Sequence, residues 1–178
     1  MAKDVFVRAI LLSGGLSQRF GSPKALVTKA GQPLVVDRYR MLQGVDPAPL
    51  VLAGGLAAET QRLLPEARVI SDPQGGPVRA LSSLQLHGLH LIIPVDMPQL
   101  EASDLRAFVE AARGPSILGF APATLPCILR LPLDLKVGRS LKSQLFQQNA
   151  AHLLPTGIPQ NRLAHFNTPE AWRTLGGS

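Results

Sequence analysis

Apolar residues fall in short blocks along this chain, and the spacing within each block separates strands from helices. Residues 5–12, V-F-V-R-A-I-L-L, form a nearly unbroken apolar run, the pattern of a strand buried on both faces. Residues 49–53, 67–71 and 90–95 repeat it. The run at 90–95 predicts a central parallel strand, although Pro94 alone would argue for an edge. A short extended piece at 25–27 and a turn at 31–33 precede a predicted helix at 33–42, with Pro33 at its start, where the missing N–H costs nothing. Further helices are predicted at 57–64, stopped by Pro65, and at 77–86. Ser103 is read as the cap of a helix at 104–112, with Asp104 near its positive end. Strands at 116–120 and 124–131, a helix at 140–151, a strand at 162–166 and a helix capped by Thr168-Pro169 and running to 175 complete the pattern. Strand and helix alternate throughout. This predicts an α/β fold with a doubly wound, mostly parallel sheet. No repeat, low-complexity tract or linker interrupts it, so residues 1–178 read as a single domain.

Open sheets of this kind bind ligands at the carboxyl ends of their strands. The loops at 13–24, 53–56, 72–77 and 96–99 all follow predicted strands and are expected to share one rim. The first is the richest: Ser13, Gly14 and Gly15 follow the strand, Gly21 comes later, and Arg19 and Lys24 supply two cations. Glycine lets backbone amides approach an anion closely, and the two cations suit a polyphosphate. It is neither a Walker A loop, since Gly21 is followed by Ser-Pro-Lys-Ala, nor a G-x-G-x-x-G fingerprint. On the fourth loop, Asp96 in Pro94-Val95-Asp96-Met97-Pro98 is either a cap for the next segment or a hard oxygen ligand. The glycine loop upstream favours the ligand, and Mg²⁺ on one carboxylate and phosphate oxygens is the expected use. Asn167, in His165-Phe166-Asn167-Thr168-Pro169-Glu170, reads equally as part of a helix cap or as an amide that positions a phosphate or completes a metal shell.

Composition narrows the field. The chain has 178 residues, 46% of them hydrophobic, and a mean hydropathy of +0.16, as globular proteins do. No apolar run is long enough to span a membrane and residues 1–12 lack a signal-peptide layout, so a cytoplasmic location is expected. Cys127 is the single cysteine, which leaves no disulfide framework or Cys-based zinc site; it reads as a small core residue. His87 and His90 straddle Gly88 with no carboxylate nearby and read as non-ligands. Net charge is +6 with a pI near 10.2, but the cations are scattered, and six Phe, one Trp and one Tyr make poor stacking platforms. Polyanionic small molecules fit the charge as well as nucleic acid does, so charge alone does not decide between them.

The stretch Leu12-Ser13-Gly14-Gly15…Arg19-Phe20-Gly21…Lys24 resembles the signature of nucleotidyltransferases related to molybdenum cofactor guanylyltransferase. Pro94-Val95-Asp96-Met97-Pro98 is similar to that family's P-x-D-x-P element, Asp72…Gly76-Pro77 to its Asp…Gly-Pro element, and Asn167-Thr168-Pro169-Glu170 to its closing N-x-N-T-P-E-D. Val78-Arg79 stand where the family usually has small residues, and His165 where it has Asn. The resemblance implies a Rossmann-like nucleotidyltransferase fold and a GTP-dependent transfer of GMP to the phosphate of molybdopterin or its molybdenum form. Mg²⁺ would sit on Asp96. Arg19, Lys24 and Asp96 would be catalytic, and Leu12, Ser13, Gly14, Gly15, Lys24, Asp72, Asp96 and Asn167 would line the nucleotide site, with loop amides at Gly14 and Gly15 on the triphosphate. Docking to other molybdenum cofactor proteins is also implied.

Two other readings remain. Gly21-Ser22-Pro23-Lys24-Ala25-Leu26 is nearer the form of cytidylyl relatives, and the scaffold also serves sugar-phosphate nucleotidylation. Gly14, where cytidylyl relatives carry Ala, points back to GTP. A nucleotide-binding regulatory protein without catalysis is the reading from outside the enzymes, kept open by Arg79 and His165.

Overall fold

The computed structural model describes residues 7–15, 20–71, 76–112, 117–120, 124–132, 134–148, 151–153 and 158–176. In chain order the strands are β1 (Val7–Leu12), β2 (Thr28–Lys29), β3 (Gln32–Pro33), β4 (Leu50–Leu52), β5 (Arg68–Ile70), β6 (Gly88–Pro94), β7 (Ile117–Phe120), β8 (Cys127–Leu131) and β9 (Ala151–Leu153). The helices are α1 (Leu34–Gln43), α2 (Ala57–Leu63), α3 (Pro77–Ser82), α4 (Ala102–Ala111), α5 (Leu141–Gln147) and α6 (Pro169–Thr174). Seven strands form one sheet in the order β5-β4-β1-β6-β8-β7-β9, and β2 and β3 make a separate hairpin. β5, β4, β1 and β6 run parallel; β8 is antiparallel to both β6 and β7, and β9 is parallel to β7. The sheet is mostly parallel.

Alternation along β1 explains the double winding. Val7, Ala9 and Leu11 join one buried cluster with Leu34, Tyr39 and Leu42 of α1, Leu105 and Phe108 of α4, and Trp172 of α6. Ile10 faces the other way, into a cluster with Val78 and Leu81 of α3 and Leu141 and Leu145 of α5. Both faces are covered, as the unbroken apolar run requires. Among the described residues, no helix is long and apolar enough to cross a membrane.

Register places the site. Leu12 pairs with Leu52 and with Pro94, and Leu52 with Ile70, so four strand ends stand side by side on one rim. Pro94 is tolerated in a central strand because β8 pairs only as far as Ile92, and the next bond to β1 runs from Val95 N–H to the Leu12 carbonyl, 2.9 Å.

Several elements differ from expectation. Residues 24–26 form a 3-10 turn, and 28–33 a hairpin whose two central residues, Ala30 and Gly31, have φ of 50° and 77°, the requirement of a two-residue hairpin turn. Pro33 therefore caps α1 from one residue outside it. α4 starts at a capping box, in which Glu101 is the cap and Asp104 accepts from its N–H at 3.0 Å, and not at Ser103. α3 stops at Ser82, where Ser83 Oγ turns back to the Ala80 carbonyl at 2.7 Å. The helix expected over 140–151 ends at Gln147, and Ala151, its expected last residue, opens strand β9. In place of the strand at 162–166 there is a 3-10 turn at 160–163, because Arg162 is pulled onto Asp104 (2.9 Å) and Glu101 (3.2 Å) of α4.

Candidate active site on the strand rim

The loop after β1 begins by spending its own donors. Ser13 N–H and Gly14 N–H both donate to the Leu52 carbonyl, at 2.8 and 2.9 Å, and Ser13 Oγ donates to it at 3.2 Å. The Gly14 N–H thus ties the loop to β4. Leu12 is equally committed, its carbonyl held by Val95. Gly15 is different. Its φ of 151° is open to glycine alone among ordinary residues, it is exposed, and a Cβ built there meets nothing within 4 Å. Arg19 and Asp72 lie outside the described residues.

The chain returns at Phe20, which is buried, and Lys24 opens the 3-10 turn that packs Ala25 into the core. From there the Lys24 ammonium donates to Asp96 Oδ2 at 2.8 Å and to Asn167 Oδ1 at 2.7 Å. These three residues come from separated parts of the chain, 72 and 143 positions apart, and meet at one nitrogen. Both members of the ion pair are largely shielded, with side-chain exposures of 13% for Lys24 and 21% for Asp96. Such a pair is worth more than a surface one.

Neighbouring residues explain why Asn167 arrives there. Thr168, not Asn167, caps α6, accepting from Ala171 N–H at 3.2 Å, so the Asn amide is left to face Lys24. Phe166 is fully buried, with its ring 5.2 Å from Phe20, 4.5 Å from Trp172 and 5.2 Å from the Lys24 nitrogen. Its N–H donates to the Asp96 carbonyl at 3.3 Å. An aromatic floor thus carries the cation from below while two oxygens hold it from the side.

A second group of charges escaped the reading from sequence. Arg38 is buried between Leu34 and Leu42 on the core face of α1. It donates to the carbonyls of Met97 (3.2 Å) and Leu100 (2.6 Å), and its Nε to Asp37 at 2.7 Å. Lys29 donates to the Pro98 carbonyl at 2.5 Å and lies 3.7 Å from Asp37. Burial, and then the Arg38 charge, push the Lys29 pKa down. The one available signal was a charge in the middle of an apolar stripe.

The remaining candidates stand apart. Arg79 and His165 are exposed. His90 is buried toward the other end of β6, and Cys127 is fully buried, its thiol pushed up to about 12 by desolvation, which makes it an inert core residue. Among the described residues no three His, Cys, Asp or Glu side chains group to hold a metal. Asp96 Oδ2 and Asn167 Oδ1 do, however, converge on one cationic nitrogen, and two hard oxygens of this kind fit Mg²⁺, which fills its other positions with phosphate oxygens and water.

Among known proteins, the chain is 26% identical to the molybdenum cofactor guanylyltransferase of Xanthomonas euvesicatoria pv. vesicatoria (strain 85-10), over 93% of this chain and 92% of that protein. It is 27% identical to the protein of the same name from Pseudomonas fluorescens (strain SBW25), over 94% and 92%. In three dimensions it is similar to the molybdopterin-guanine dinucleotide biosynthesis protein A of Archaeoglobus fulgidus, with a TM-score of 0.68 at 17% identity, covering 96% of this chain and 97% of that one. The family described as the MobA-like NTP transferase domain matches residues 9–130, which hold the glycine loop, Lys24, Arg38 and Asp96, and the chain belongs to that family.

Proposed function

We propose that this nucleotidyltransferase is a GTP-dependent guanylyltransferase, which moves GMP from GTP to the phosphate of molybdopterin, or of its molybdenum form, and releases pyrophosphate. The observation that carries this reading is the meeting of Lys24, Asp96 and Asn167 at the rim of the parallel strands, in a chain whose curated relatives carry that name.

The acceptor phosphate oxygen attacks the α-phosphorus in line, the bond from that phosphorus to the bridging oxygen breaks, and the electron pair leaves on pyrophosphate. A phosphate monoester is largely ionised at neutral pH, so no strong general base is needed, and catalysis rests on positioning and charge neutralisation. Asp96, aided by Asn167, would hold Mg²⁺, which when bound neutralises phosphate oxygens. Lys24 would pass its ammonium from these two oxygens to the phosphates, where Arg19 adds its fork of donors. Gly15 lets the chain approach the triphosphate, Asp72 contacts the nucleotide, and Gly14, exposed at the strand end, leaves room for a purine. The enzyme would work in the cytoplasm and hand its product to other molybdenum cofactor proteins.

The deciding experiment incubates the protein with Mg²⁺, molybdopterin and each nucleoside triphosphate in turn and measures pyrophosphate. GTP is expected to give the highest kcat/KM. A higher value for CTP would favour the cytidylyl reading suggested by Pro23-Lys24-Ala25-Leu26. Nucleotide binding without turnover would leave a regulatory protein.

A further inference from the structure

We propose that Asp37, Arg38 and Lys29 are positioning residues that set the place of Asp96 relative to Lys24, an inference that rests on the function proposed above. The loop that carries Asp96 leaves the sheet at Val95, and from there its carbonyls need partners. Each of residues 96–100 is tied. The Asp96 carbonyl accepts from Phe166 N–H (3.3 Å), Met97 and Leu100 from Arg38, Pro98 from Lys29, and the Gln99 side chain donates to the Leu175 carbonyl (2.7 Å). Two anchors come from the C-terminal segment and three from residues 29 and 38. Asp37 Oδ2 joins the latter, 2.5 Å from Arg38 Nη2, 2.7 Å from its Nε and 3.7 Å from Lys29 Nζ.

What makes this more than loop fixing is the chain around it. The hairpin and α1, which carry the three charges, follow directly on the 3-10 turn that carries Lys24. One continuous stretch, 24–43, therefore presents the ammonium and grips the carboxylate's loop. A buried guanidinium on an apolar face carries a desolvation cost, which is offset only by full pairing. Here every bond it makes beyond Asp37 goes to the Asp96 loop. The grip fixes a 2.8 Å approach across 72 residues of sequence.

Asp37→Asn keeps the shape and removes the charge that holds both cations. Turnover with Mg·GTP and molybdopterin is expected to fall about 10-fold in kcat, with KM for GTP moving less than about 3-fold, as small misplacements of reacting groups do. In an Asp96→Asn background the same change is expected to cost little more, because both act through one group. Acylation of Lys24 by an amine-directed ester, read by peptide mass spectrometry on the unliganded protein, is expected to rise several-fold. Lys29→Met, on the hairpin, is expected to move both readouts the same way by less, and it decides the matter if Asp37→Asn does not fold. A folded variant with unchanged kcat and unchanged Lys24 acylation overturns the proposal, as does a loss that adds in full to Asp96→Asn. If wild type and variant both lack turnover while Lys24 acylation rises, the positioning role stands and the guanylyltransferase reading fails; if acylation does not rise either, both fail.

Discussion

Asp46 and Asp96 are two carboxylates at opposite ends of the same central strands, and they are held in different ways. Asp46 is fully buried at the end where β1 begins. Its oxygens accept from the backbone N–H groups of Ala9 (2.7 Å) and Ala48 (3.1 Å), with Arg8 at 3.6 Å. Asp96, at the other end, is partly open, and its side chain is held by the Lys24 ammonium. Backbone donors cannot leave without breaking the fold, whereas an ammonium on a flexible stem can move to a phosphate and return. The chemistry of the carboxylate is the same in both places. On the function proposed above, the donor's freedom to depart is what would separate a structural carboxylate from a functional one.

The comparison breaks first at Asp96. Asp96→Asn is expected to lower kcat by about 10²–10³-fold, the effect of losing one preorganised electrostatic element, with the protein folded and its melting temperature lowered only by the roughly 2–4 °C that about 1 kcal/mol of shielded ion pair is worth. Steady-state pyrophosphate release and a thermal melt on one preparation check it, and near-wild-type turnover by the folded variant would remove Asp96 from the chemistry.

Asp46→Ala is expected to do the converse. The buried N–H of Ala9 and the partly buried bond from Ala48 lose their acceptor, at a cost of about 2–3 kcal/mol, which lowers the melting temperature of a chain this long by roughly 4–12 °C. Activity of the fraction still folded at 25 °C should be unaltered. A loss of kcat without a loss of stability would erase the distinction between the two carboxylates.

Lys24→Ala sharpens it. Without a mobile cation, GTP affinity is expected to fall about 10-fold or more, the size of a charge-assisted bond, while guanosine affinity changes little; Arg19→Ala should behave alike. Equal weakening of both ligands, measured by calorimetry, would place these residues at the base or in the fold.

The candidate site was legible in the sequence where chemistry and backbone need coincide. Gly15 has a φ that only glycine tolerates, Asp96 follows an apolar strand, and Lys24 follows the glycine loop, so each announces itself locally. Asn167 was half legible, because Asn-Thr-Pro reads as a helix cap until the structure shows Thr168 doing the capping. Arg38 was not, since its partners are backbone carbonyls 59 and 62 residues away that no side-chain motif encodes. The same holds for 162–166, where Phe166 and Arg162 are placed by distant rings and carboxylates and not by a strand ladder. At β9, a three-residue strand is too short for its period to show.

The smallest expected effect concerns the neighbour of the structural carboxylate. His90 lies beside Arg8 in the register of β1 and β6, and its ring Nδ1 is 3.0 Å from the Gly88 carbonyl. A carbonyl only accepts, so Nδ1 carries the proton in the neutral ring and charging would add one at Nε2. Burial holds the pKa of His90 below its ordinary value of 6.5, opposed by the Gly88 bond, with Arg8 lowering it further and Asp46 raising it. With the folded value depressed, the unfolded chain binds more protons on this residue at mildly acidic pH. The stability His90 contributes is therefore present above pH 6.5 and is lost as pH falls from there through the folded value, by about 1.4 kcal/mol for each unit of depression. Urea unfolding at pH 7.5 and 5.5 is expected to show that loss in the wild type and a smaller one in His90→Val, which keeps a strand-forming residue without a titrating ring. Asp96→Asn should leave the slope untouched, because its carboxylate stands at the far end of β6. Equal slopes in wild type and His90→Val would assign the acid sensitivity to other groups and remove His90 from the pair of ends that the two carboxylates define.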